Sequence, residues 1–148
     1  MTQAAAALPR TPRLIASFAA LGAAWNLFGI YQWWGQFEAS PAMLMGKGMT
    51  PEQATLYASL PWWMTLVFAI GVFGGLAGSL LLMAGRRAAV PVFAASLAGY
   101  LALYAGDIAL GVFAVFGTPQ VAILSTVVVI AIGLLAVAVG AKRHGSLR

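Results

Sequence analysis

The chain has 148 residues, 62% hydrophobic and only 7% charged, against roughly a quarter charged in an average soluble domain. Four apolar runs take up most of the length, which leaves no room for a soluble domain. The formal net charge of +5 does not point to nucleic acid, because the basic residues sit at run ends rather than on one polar face. The absence of cysteine excludes disulfides, thiolate metal sites and cysteine catalysis.

Residues 1–13 read as a short basic leader carrying Pro9, Arg10, Pro12 and Arg13. The first apolar run is Leu14–Trp34, about 31 Å as a helix and long enough to cross a bilayer. A cleaved signal peptide is the competing reading. Apolarity continues through Trp34, beyond an ordinary signal core, which favours a span.

Residues 35–61 are the one long connection. Within it, Thr50-Pro51-Glu52-Gln53 is a helix start. Thr50 can cap, Pro51 suits the first turn, and Gln53 can close a capping box. Leu56, Tyr57 and Leu60 then make a short amphipathic segment, predicted to lie in the membrane interface. Met43, Met45 and Met49 cluster nearby. Thioethers suit Cu(I), but no cysteine or histidine accompanies them, so they read as interfacial packing and no metal site or cofactor is expected.

The second run is Trp62–Ala84. Arg86 and Arg87 form a basic turn, and the third run is Val92–Phe116. Gly117-Thr118-Pro119-Gln120 is predicted as a tight turn, which makes the third run and the fourth, Val121–Ala141, an antiparallel hairpin. Residues 142–148 are a basic tail holding His144, the sole histidine. Such a lone tail histidine is read as solvated.

Four spans put Arg10, Arg13, Arg86, Arg87, Lys142, Arg143 and Arg148 on one side, and Lys47 on the other with Glu38 and Glu52. That asymmetry predicts both termini in the cytoplasm. Trp33, Trp34, Trp62 and Trp63 fall at the opposite boundary, as an aromatic belt does. The expected fold is thus all-α. It is an integral bundle of four transmembrane helices in residues 14–141, with a short interfacial helix in the first outer loop.

The second run holds Gly71, Gly74, Gly75 and Gly78, and the third has a similar small-residue stripe with Ala95, Gly99, Ala102 and Gly106. Gly133, Ala136 and Gly140 repeat the pattern in the fourth. Small residues four apart let helix backbones approach closely in lipid. Packing within one bundle is the plain reading, and contact between copies is the alternative. A phosphate-binding loop is excluded, because the glycines lie inside spans.

Asp107 is the acid within the apolar runs. A carboxylate there costs roughly 2.5–3.5 kcal/mol on insertion scales and tends to face protein or water. Tyr100, Tyr104 and Asp107 share one helix face by their spacing. Asn26 is the strongly polar residue of the first run. Counted from run midpoints, Asp107 lies about 4–5 Å and Asn26 about 3 Å toward the outer side. An Asn26–Asp107 contact is therefore expected to be within reach. With no cation at that depth, desolvation favours a protonated carboxyl. The plain reading is an interhelical hydrogen-bond clasp. The functional one is a proton or ligand site at Asp107, Asn26, Tyr100 and Tyr104. No nucleophile, base and orienting group come together, so no enzyme is expected.

Several strings resemble a small family of four-span bacterial membrane proteins of similar length. They are residues 25–29 (WNLFG), 61–63 (PWW), 68–75 (FAIGVFGG), and Arg86-Arg87 followed by residues 91–99 (PVFAASLAG). The resemblance covers most of the chain. It implies a multi-pass inner-membrane protein and, through the label its members commonly carry, a sugar transporter. It supplies no functional residues. Two functions are expected. The first is a structural, accessory or regulatory membrane component, alone in the bilayer, as a homo-oligomer or in a larger complex. The alternative is a small-solute or proton-linked carrier centred on Asp107 and Asn26. The discriminating feature is a polar cavity reaching Asp107.

Overall fold

A computed structural model describes residues 12–37 and 39–148; Arg10 and Glu38 of the charge count lie outside them, with most of the leader. The order is α1 (Arg13–Trp34), α2 (Pro41–Gly46), α3 (Pro51–Ser59), α4 (Trp62–Met83), α5 (Ala89–Ala109), α6 (Val112–Phe116) and α7 (Thr118–Arg143). Helices α1, α4, α5 and α7 are long and apolar enough to cross a membrane. The molecule is thus an all-helical, multi-pass bundle, with short helices between the spans.

The connection between α1 and α4 carries its stop and start signals in the sequence. Thr50 accepts from the Gln53 amide at 3.2 Å, and the Gln53 side chain accepts from the Thr50 amide at 3.1 Å. That is the capping box expected there. The sequence reading missed α2, whose signal is the same kind: Ser40 caps it, and Pro41 occupies its first position.

The third apolar run is not one helix. α5 begins at Ala89, with Pro91 tolerated in the first turn, where the missing N–H has no partner to lose. Its 21 residues already span about 31 Å. It stops where Gly111 takes φ +74°, a left-handed conformation that favours glycine. The apolar remainder, α6, lies against α3: Gln53 Nε2 donates to the Val115 carbonyl at 3.5 Å, and the Tyr57 and Phe116 rings sit 6.4 Å apart. Thr118, Pro119 and Gln120 are not a free turn. Gly117 ends α6 at φ +71°, and these three residues open α7.

Helix α4 packs between α1 and α5, and α5 packs in turn on α7. α1 and α7 touch only lightly, so the ring of four has a loose seam. One end of the bundle carries Trp33, Trp34, Trp62 and Trp63, and the other the arginine turn and the basic tail. The larger apolar core fills the basic half, with Leu82, Phe93, Leu134 and Ala138 at its centre. Leu147 of the tail is buried in it. The tail is pinned there by Arg148 N–H on the Gly85 carbonyl at 2.8 Å and by Arg87 Nε on the Leu147 carbonyl at 3.0 Å.

Candidate functional site

The glycines of α4 decide what meets what. A Cβ on Gly71 would stand 2.6 Å from the Tyr100 ring, and one on Gly75 would collide with the Asn26 amide. Gly74 faces Ser96, Gly78 faces Phe93, Gly99 faces the α4 backbone, and Gly106 faces Met64 and Trp63. All six sit at contacts inside the bundle. Gly133 and Gly140 meet nothing within 4 Å, so the small-residue stripe of α7 does not pack inside the bundle.

Through that notch in α4, α5 reaches α1. Tyr100 donates its hydroxyl to Asn26 Oδ1 at 2.9 Å, and Asn26 Nδ2 donates to the Gly22 carbonyl at 2.8 Å. Ser96 closes a further link, donating to the Gly71 carbonyl at 2.6 Å. Asn26 is only 2% exposed, so these bonds satisfy an amide that would otherwise be costly to bury.

Asp107 is not part of this clasp. It accepts from Gln120 Nε2 at 3.2 Å, between α5 and the first turn of α7. The expected Asn26–Asp107 contact does not form, and the reason is register. A single span over Val92–Phe116 has its midpoint at Tyr104, whereas the helix runs Ala89–Ala109. With α5 centred on Gly99, Asp107 lies about 12 Å from the middle, near the tryptophan end. Tyr104 also separates from Asp107: its hydroxyl lies 3.2 Å from Ser125 Oγ, and its ring packs edge-on to Phe113 at 5.0 Å.

Above the Tyr100–Asn26 bond, a cavity of about 390 Å³ opens toward the tryptophan end. Tyr100 and Asp107 line it on one wall, and Gln32 and Gln36 on the α1 side. Thr65 and Phe68 of α4 and Gln120 of α7 complete the ring, with Tyr57 of α3 across the top. Phe28 and Ile123, 57% and 60% exposed, line it on the side where α1 and α7 touch only lightly. Of the four site residues expected from the sequence, Asp107 and Tyr100 line the cavity, Asn26 lies beneath it, and Tyr104 lies outside. The methionines of the outer connection do not line it either.

Sequence reasoning missed the glutamines. Gln32 and Gln36 are four apart, on one face of α1 and its first following turn, and Gln120 follows a proline helix start. Those signals were available, but without the α5 break nothing connected them with Asp107. Tyr57 belongs to the same group. Burial pushes its hydroxyl above the ordinary tyrosine range; the Gln36 amide opposes this, and the nearby Asp107 adds to it.

Among the described residues, no cluster of three histidine, cysteine or acidic side chains is placed to hold a metal. The cavity offers a carboxyl, amides and aromatic faces, a chemistry for holding a small molecule by polar contacts. Comparison with family models, curated proteins and solved structures gives no match.

Proposed function

We propose that the protein is a small-solute carrier of a bacterial inner membrane and that the Asp107 cavity is its binding site. One observation carries the reading. A solvent-sized space within the bundle reaches the acid of the apolar runs and surrounds it with amides and aromatic rings. Intramembrane acids that face a cavity mark substrate or ion pathways. A purely structural component would gain more from a packed interior at that end, because the cavity forgoes contacts. The accessory role therefore has less support than the carrier.

On the charge asymmetry, both termini are cytoplasmic and the cavity faces the outer side. The packed core of the basic half then acts as the closed inner barrier. Release to the cytoplasm requires that barrier, with Leu147 in it, to open. Four spans leave little room for a complete path, so the working unit of this carrier is a dimer.

The test is counterflow into proteoliposomes with a panel of labelled sugars, polyols, amino acids and amines. The wild-type protein accumulates at least one, and Asp107→Asn does not. Uptake equal to protein-free liposomes across the panel would overturn the carrier.

A further inference from the structure

The charge balance of the cavity narrows its ligand. Gln120 donates to Asp107 Oδ2, and no other described residue donates a hydrogen bond to this carboxyl. Among the described residues no buried side-chain nitrogen or oxygen is left without a partner, so Oδ1 is open to the cavity. Among the described residues no lysine, arginine or histidine lines the space. The amides of Gln32, Gln36 and Gln120 supply dipoles but no counter-charge.

The rest of the lining is mainly aliphatic, with aromatic rings set into it: Trp25, Phe28, Phe68 and Tyr100 stand on the α1, α4 and α5 walls. Aromatic faces attract cations, and most strongly where water is excluded. A buried carboxylate without a counter-charge is costly, and a cationic guest offsets part of that cost. An anion would meet the carboxylate with no basic group to offset it. A neutral polyol would need hydrogen bonds only, which a glutamine in place of Asp107 would serve equally well.

We infer that the cavity takes a small organic cation, an amine or quaternary ammonium, with Asp107 as its counter-charge and the aromatic wall around its alkyl groups. A volume of about 390 Å³ admits such a molecule with an apolar body attached. The inference rests on the binding site proposed above and names the class of solute.

The chain has no cysteine, so one introduced thiol reports alone. Thr65 lines the cavity, and the group Trp33 Nε1 donates to, at 2.9 Å, is its backbone carbonyl rather than its side chain. Thr65→Cys therefore keeps that bond. Its reaction is followed with a trimethylammonium methanethiosulfonate and with the sulfonate analogue. Each rate is divided by that of free cysteine. The cationic reagent should react about tenfold faster or more, and Asp107→Asn should bring the ratio toward one. In the background with Asp107 intact, benzyltrimethylammonium should protect the thiol and glucose at the same concentration should not. This second measurement decides the matter if the Asp107→Asn protein fails to fold.

Equal normalised rates, a ratio unmoved by Asp107→Asn, or protection by glucose alone would overturn the cation while leaving an aqueous binding cavity. No reaction with either reagent would remove the cavity itself, and the inference with it.

Discussion

Tyr100 on α5 and Asn26 on α1 share a 2.9 Å hydrogen bond although their helices do not pack on one another. α4 stands between them, and the bond passes where Gly71 and Gly75 reduce α4 to backbone. Three spans are thus tied at one level by two side chains and two missing ones. The same bond is the floor of the cavity, so packing and site share residues.

Tyr100→Phe should keep the ring against Gly71 and remove only the hydroxyl. The expected cost is about 0.6–2 kcal/mol, the range of hydrogen bonds between membrane helices. Asn26→Leu loses the same bond and a second one to Gly22. Unfolding of the two single variants and the double in one detergent gives the coupling. Additive losses would show that the bond contributes nothing between them.

Gly75→Leu should be far worse than Gly133→Leu. The first places a side chain where the Asn26 amide already stands; the second extends into open space. Thermal unfolding in detergent and elution volume should separate them. Equal stability would mean that the α4 notch is not a contact. A change of oligomeric state in Gly133→Leu alone would assign the α7 stripe to contact between copies.

How much of this was readable in the chain depends on the length over which each signal acts. The presence of four apolar helices and the Thr50 cap follow from local composition and spacing, and the structure has both. The Asp107 environment depends on where a helix stops. Residues 92–116 are apolar throughout, so hydropathy cannot locate an end within them. Gly111 was the available signal, and a glycine inside an apolar run is ambiguous until its φ is known. A span read over Val92–Phe116 instead of Ala89–Ala109 has its midpoint five residues later, and that brings Asp107 down toward the level of Asn26. Its real partner, Gln120, was meanwhile assigned to a turn.

Tyr57 gives a pH signature outside the spans. Its hydroxyl titrates above the usual 10.0 in the folded protein, first because it is buried. The neutral form therefore carries the stability. That contribution is fully present below the unfolded value and is lost as the pH rises through the raised one. Unfolding followed from pH 8 to 12 should show a decline beyond about pH 10. Tyr57→Phe should flatten part of it. An identical decline in Tyr57→Phe would assign the alkaline loss to other groups.

Topology follows from the basic end. Alkaline phosphatase inserted within residues 42–49 should be active, and the same enzyme fused after Arg148 inactive, because the excess of lysine and arginine marks the cytoplasmic side. An active terminal fusion would reverse the bundle and turn the cavity inward.

Asp107 separates a carrier from a structural component. Its bond to Gln120 joins α5 to the first turn of α7. Asp107→Asn keeps an acceptor of the same shape, so Gln120 can still donate and the fold should change little. Asp107→Leu removes the acceptor, but Gln120 also lines the cavity and can turn to water there, so the loss should fall near the lower end of roughly 0.6–2 kcal/mol. Stability alone therefore ranks wild type, Asn and Leu closely. Function should not. An amide holds the site neutral and offers no counter-charge, so Asp107→Asn should fold, elute as the wild type does, and lose both solute counterflow and the cationic preference of the Thr65→Cys thiol. A structural role requires the opposite pattern, with Asn indistinguishable from wild type in every assay and Leu impaired in proportion to its lost stability. Measured together, unfolding and counterflow leave one of the two standing, because only a binding role allows full stability without function.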